Sequence, residues 1–224
     1  GKITVGATEG NIVLGSAVTA VQKVDVDATA GSVTLNGAVE SVAGEVEVAA
    51  NEAVTANATV KAKTDVTLSS TAGDVTTGEK VTATSGTVSI ATGTGNISVQ
   101  AAEAGQNISL TAVDGNITNS GLLKAGGTAS LYTGKGAVTV TGAVDAQDNV
   151  TVKTINGNVT VQNNIISHSG DISVTSRIED ITITSSGVLT AGKKVSLNAL
   201  TASDIMINND INGKDIEIKI DDGY

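Results

Sequence analysis

Aliphatic residues recur along this chain on a fixed ruler. Ile108 and Leu110 open a short run in which apolar and polar positions alternate. Ile117 opens a second run nine residues later, and Leu123 marks a third after six more. At Ala129 and Leu131 the cycle restarts, 21 residues on. The first run of each cycle begins at Ile3, Val24, Val46, Val66, Val88, Ile108, Ala129, Val150, Ile172, Val195 and Ile216, with gaps of 21, 22, 20, 22, 20, 21, 21, 22, 23 and 21 residues. The second begins at Ile12, Val33, Val54, Val75, Ile97, Ile117, Val138, Val159, Ile181 and Ile205. A third, weaker run sits at Val18, Val39, Val60, Val81, Leu123, Val144, Ile165, Val188 and Ile211. It is blurred near Ala101 to Ala104, where alanines stand in for the larger residue.

Each run reads apolar, polar, apolar, as in Val33-Thr34-Leu35, Val138-Thr139-Val140 and Ile181-Thr182-Ile183. A period of two is that of a strand with one buried face. No stretch sustains a period of 3.6, so no helix of useful length is expected. Seven cycles place a glycine two residues before the second run, at Gly10, Gly31, Gly73, Gly95, Gly115, Gly136 and Gly157. A turn at positive φ is the simplest reason, since glycine visits that region at little cost. Three short strands in about 21 residues cannot bury a face alone, but stacked rungs can. Each strand then pairs in parallel with its counterpart one rung away, and the inward aliphatics form one column. The expected fold is all-β: a parallel β-helix (β-solenoid) of roughly triangular section. It has three short strands per rung and ten to eleven rungs, a single segment over residues 1–224. A β-sandwich is the alternative fold, and it would make the ruler an accident.

Composition agrees with a narrow interior. There is no Pro, Cys, Trp or Phe, and the only aromatics are Tyr132 and Tyr224. Val, Ile and Thr favour pleated surfaces because their β-branching packs well there. The net charge of −10, with one Arg and one His, leaves no basic footprint for nucleic acid. No apolar run has the length of a membrane-spanning helix, so membrane insertion is not expected. With no cysteine, disulfide staples and thiolate metal sites are excluded. Gly1 reads as the edge of a mature or internal piece. The regular strand IEIKI at 216–220, followed only by Asp221, Asp222, Gly223 and Tyr224, leads to the expectation that rungs continue covalently or that copies stack end to end.

The wording LTAVDGNITNSGLLKAGGTASL at 110–131, with NGNVTV at 156–161 and SGTVSIATGTGNISV at 85–99, resembles the repeats of filamentous haemagglutinin-type exoproteins of the two-partner-secretion class. The resemblance covers essentially the whole chain as a texture of repeats. It implies a right-handed β-helix, secretion by a Gram-negative bacterium to the outside or the cell surface, and attachment to a host-cell or bacterial surface receptor or glycan. The Asn-Pro motifs of that family's secretion domain have no match here.

Candidate chemistry is sparse. His168, in SHSGD, lacks a second His or a Cys and reads as a loop residue. Arg177, Glu179 and Asp180 replace the usual glycine turn; they read as a surface recognition bump or, more simply, as a local ion pair. Glu45 and Glu47 occupy adjacent outward positions of one strand, with Asp25 one rung below Glu47. They are the nearest thing to an acid pair for a polysaccharide-cleaving enzyme, but the aromatic platforms and long loops of such enzymes are missing. No dense Asp/Gly calcium loop occurs. The outward middles of the second run, Thr34, Thr55, Thr76, Ser98, Thr118, Thr139, Thr160 and Thr182, should stack as one hydroxyl ladder. An ice-binding surface is one use of such an array. The neighbouring column of Ser32, Ala53, Asp74, Asn96, Asn116, Ala137, Asn158 and Asp180 breaks the regularity. The sequence therefore reads as a non-catalytic structural or adhesive segment, a rigid shaft or fibre, with no catalytic residues, cofactor or metal. An enzyme on the same scaffold is the alternative.

Overall fold

In a computed structural model the described residues are 1–201 and 203–221. Among them all regular structure is β: 29 strands and no helix. The chain winds as a β-solenoid with three sides. The first side stacks eleven parallel strands, from Ile3–Ala7 through Val46–Ala50, Ile108–Asp114 and Val150–Asn156 to Asp215–Asp221. The second and third sides carry ten rungs each. They merge where Val75–Ala83 and Ile97–Ala104 run unbroken around the corner. At ~4.8 Å per rung, ten rungs make a rod ~50 Å long.

Register follows the ruler. On the first side Val48, Leu68, Ile90, Leu110, Leu131 and Val152 stack in one inward column, all with no exposed surface. On the second, Val33, Val54, Val75, Ile97, Ile117, Val138, Val159 and Ile181 do the same. Each interior side chain touches mostly aliphatics above and below, so the core is a filament of apolar contacts rather than a globule. The final first-side strand lacks a further rung on one side, and Ile216, Ile218 and Ile220 are about half exposed there (46, 49 and 51%). The tail residues Asp222, Gly223 and Tyr224 lie outside the described residues.

One phase expectation is corrected. The third run of the ninth rung starts at Leu189, not Val188: Leu189 pairs with Ile165 and is fully buried. The corner Thr184–Gly187, closed by Gly187 N–H to Thr184 O at 3.0 Å, carries two more residues than its neighbours and shifts the phase. In the blurred rung the corner is one residue short, and Ala102 takes the inward place opposite Leu123 and Val81. The glycine turns also divide. Gly10, Gly95, Gly115, Gly136 and Gly157 have positive φ, whereas Gly31 and Gly73 do not. What the corner glycines on neighbouring rungs share is close approach of backbone. A Cβ on Gly136 would lie 2.3 Å from Gly115 O, and one on Gly31 2.2 Å from Gly10 O.

The same corner explains the hydroxyls that replace an inward aliphatic at the end of the first side. Thr92, Thr133, Thr154 and Ser176 are buried, and each donates to the carbonyl of the turn glycine one rung below: Gly73, Gly115, Gly136 and Gly157, at 2.7, 2.6, 2.8 and 3.0 Å. A carbonyl turned inward at the corner would otherwise lack a donor.

Candidate binding surface

The second-side hydroxyl ladder forms as expected. Thr34, Thr55, Thr76, Ser98, Thr118, Thr139, Thr160 and Thr182 are paired rung to rung and all half-exposed. Val13 and Met206 extend the column at its two ends with apolar side chains, 61 and 54% exposed.

The column beside it has a structural job that its mixed composition concealed. The side-chain oxygen of each Asn or Asp accepts the backbone N–H of the residue one rung on. Asp74 Oδ1 takes Asn96 N at 2.6 Å, Asn96 takes Asn116 N at 3.0 Å, and Asn116 takes Ala137 N at 2.8 Å. Asn158 takes Asp180 N at 3.0 Å, and Asp180 takes Asp204 N at 2.8 Å. The first side uses the same device: Asp65 binds Thr87 N, Asn107 binds Thr128 N, and Asn149 binds Asp171 N. These ladders satisfy N–H groups at the strand entrances that the sheet leaves open.

Asp180 is therefore a ladder residue rather than a partner of Arg177. Arg177 forms no ion pair among the described residues, so the expected local pair with Glu179 or Asp180 is corrected. The segment is held by its backbone instead: Arg177 N to Thr154 O at 3.2 Å and Glu179 N to Ser176 Oγ at 3.2 Å. That leaves Arg177, Ile178 and Glu179 pointing outward on a small bump.

A second hydroxyl ladder runs along the first side and was not recognised from sequence. Thr67, Ser89, Ser109, Ser130, Thr151, Ser173 and Ser196 stack in register. It ends against Glu47 at one extremity and Glu217 at the other. In the next outward column Tyr132 lies between Thr111 and Lys153. These two large side chains interrupt the two-column regularity that an ice-binding plane needs.

The acids are engaged. Asp25 pairs with Glu47 in register as expected. Lys23 Nζ lies 2.8 Å from Glu45 Oε1 and 2.6 Å from Glu47 Oε2, and these two bonds hold its ammonium well above the usual lysine range. Asp25 takes Lys2 at 3.0 Å. Glu217 is clasped by Lys194 and Lys219, which pull its carboxyl down to about 2.

The third side carries charges of alternating sign. Glu40 meets Lys61 at 2.8 Å, and Lys80 meets Glu103 and holds that carboxyl below its usual range. Lys124 follows Glu103 in the stack, and Asp145 follows Lys124. His168 sits in its turn as expected, with Nε2 2.7 Å from Asp145 Oδ1. Glu103, Lys124, Asp145 and His168 line a hollow of about 340 Å³. A smaller one of about 280 Å³ lies over Ala49 and Ala50, beside Asp27 and Ser69. No cluster of three or more His, Cys, Asp or Glu fit to hold a metal occurs among the described residues, and no helix there is long and apolar enough to cross a membrane.

No family model, curated protein or solved structure matches the chain, so the likeness to filamentous haemagglutinin-type repeats rests on the wording of the repeats alone.

Proposed function

We propose that this chain is a non-catalytic segment of an extracellular bacterial β-solenoid, a stiff shaft that displays attachment surfaces at a cell surface. The observation that carries the reading is the uniformity of the exterior. Over ten rungs the outward columns repeat at rung spacing, corners are short, and the two hollows found among the described residues are shallow. Spatially constant hydroxyl and amide columns suit contact with an extended partner better than turnover of a small substrate. The repeat wording adds secretion and adhesion to this reading. Against a polysaccharide-cleaving alternative stands the arrangement of Glu45 and Glu47: one lysine bonds both carboxylates, whereas glycoside hydrolysis needs one carboxyl protonated and the other free.

Beads coated with the purified chain test the attachment. They should adhere saturably to epithelial or bacterial cells and be displaced by soluble protein. Absence of adhesion to either would remove the adhesive half of the proposal. Incubation with neutral and acidic polysaccharides should leave their chain length unchanged. Cleavage abolished by Glu45→Gln or Glu47→Gln would overturn the non-catalytic half.

A further inference from the structure

The outward middles of the third-side strands carry charge in a definite order. Numbered from the rung that opens at Ile3, rungs two to seven present Glu40, Lys61, Thr82, Glu103, Lys124 and Asp145, stacked in register. The signs read minus, plus, neutral, minus, plus, minus. Glu40 pairs with Lys61 along the rod, and Glu103 with Lys80, yet these side chains remain 38, 56, 42 and 48% exposed, and Lys124 is exposed as well. Their outward faces are open to a second set of charges. Four lysines (Lys61, Lys63, Lys80 and Lys124) stand among the three carboxylates of this face, in a chain whose net charge is −10. Two copies can therefore approach here without the repulsion that their acidic surfaces impose elsewhere.

Two identical faces meet about a two-fold axis lying between them. With the axis along the rod, every charge faces its own copy, and like meets like. With the axis across the rod at Thr82, the rods run antiparallel and opposites meet. Glu40 then faces Lys124 of the second copy, and Lys61 faces Glu103 of the second copy. On either side of Thr82 these four make a checkerboard of alternating sign. Sliding one rod by a single rung destroys it: Glu40 would face Asp145 and Lys61 would face Lys124, or, in the other direction, Glu40 would face Glu103. Only Lys80 meets its own copy near the axis, and Glu103 sits beside each ammonium.

Shape fits the same register. In the outward column that follows the third strand, Val42, Lys63, Thr84, Gly105 and Gly126 stack by backbone hydrogen bonds. The axis at Thr82 sets Val42 and Lys63 opposite Gly126 and Gly105 of the second copy. That gap is built in, because a Cβ on Gly126 would lie 2.2 Å from Gly105 O. In the column before the strand, Leu122 comes opposite Ala38. Val42 and Leu122, 54 and 46% exposed, are each covered where the other copy carries a small residue. Seven rungs span ~29 Å and five residues ~16 Å, so the flat contact is about 460 Å² per copy. Twice that is at the low end for specific interfaces, the range of a weak dimer.

We propose that two copies of this chain pair side by side through their third sides, antiparallel, about a two-fold axis at Thr82. Pairing of copies is separate from attachment to cells, and either can fail alone. Sedimentation velocity over micromolar to millimolar concentrations should show a monomer–dimer equilibrium. Glu40→Lys and Lys124→Glu each set like charges opposite one another at two symmetry-related contacts, and each should weaken self-association by about tenfold. Mixed together, the two variants should dimerise as the parent does, because Lys at 40 then faces Glu at 124 and Lys124 faces Glu40. Rescue on mixing separates lost complementarity from a misfolded variant. One nitroxide per chain, at Thr34, Thr76, Thr118 or Thr182 in turn, reports the register by pulsed electron resonance. Thr76 lies level with the axis and should give the shortest distance between copies. Thr34 and Thr118, two rungs to either side, should give equal distances with an axial offset of ~19 Å, and Thr182 an offset of ~48 Å. A strict monomer at millimolar concentration would overturn the proposal. So would variants that self-associate like the parent, a mixture that is not rescued, or one common distance at all four positions, the mark of parallel or end-to-end association.

Discussion

Replacing Val159 by Asp puts a carboxyl into the dry column. Val159 has no exposed surface and stacks between Val138 and Ile181. Losing the buried valine costs ~1.5–3 kcal/mol. A fully buried carboxyl has its pKa raised by ~3–5 units, so at neutral pH the rung holds a protonated acid at a cost of ~4 kcal/mol. Burying that neutral acid without a donor adds ~1–3 kcal/mol. The sum, about 7–10 kcal/mol, rivals the whole stability of an ordinary domain, ~5–15 kcal/mol. Thr160→Asp, one residue away, places the same group on the exposed ladder between Thr139 and Thr182 and should cost under ~1 kcal/mol. Urea unfolding followed by circular dichroism separates the two. The sign with pH is fixed as well. The folded-state pKa of the introduced carboxyl exceeds its unfolded value, so the ionisation part of the penalty is full above the folded pKa. It shrinks as pH falls toward ~4. Equal losses for the two variants, or a Val159→Asp penalty that does not shrink in acid, would refute the inward register.

Three further outcomes follow from particular contacts. Gly136→Ala should cost at least ~2 kcal/mol, because its positive φ of 138° and a Cβ 2.3 Å from Gly115 O both resist the methyl; an unchanged urea midpoint would contradict this. Ala137→Asn should stabilise by ~0.5–1.5 kcal/mol by filling a gap in the ladder between Asn116 and Asn158, read as a raised melting temperature, whereas Asn116→Ala should lose a similar amount; a fall with Ala137→Asn would count against the ladder. The Glu217 carboxyl should titrate at about 2 by NMR, so its contribution to stability is complete above the ordinary value of 4.5 and is lost as pH falls through about 2; titration at the ordinary value would show that Lys194 and Lys219 do not clasp it.

The ruler was legible because one physical demand, an aliphatic at every second position facing a shared interior, repeats in every rung. It failed where the corner length changed: the long corner before Leu189 and the short one before Ala102 shift phase without altering composition. The second hydroxyl ladder went unseen because Asp25, Glu47 and Glu217 share its column and draw attention to charge. The Asn and Asp column was misread as irregular surface because those side chains reach along the rod to a backbone N–H, a direction that alternation within a strand does not encode. The hollow was least legible of all. It is defined by side chains absent at Gly105 and Gly126 and by residues 20 or more positions apart.

The central claim is that this 21-residue ruler builds one straight parallel rod on which every outward column is displayed at rung spacing. Spin-label pairs along the hydroxyl ladder test it most directly by pulsed electron resonance. Thr55 with Thr139, Thr55 with Thr182, and Thr34 with Thr182 are four, six and seven rungs apart. Their separations should be about 19, 29 and 34 Å, rising by ~4.8 Å per rung. Distances that fail to rise in proportion to rung number, or that converge on one value, would contradict the rod.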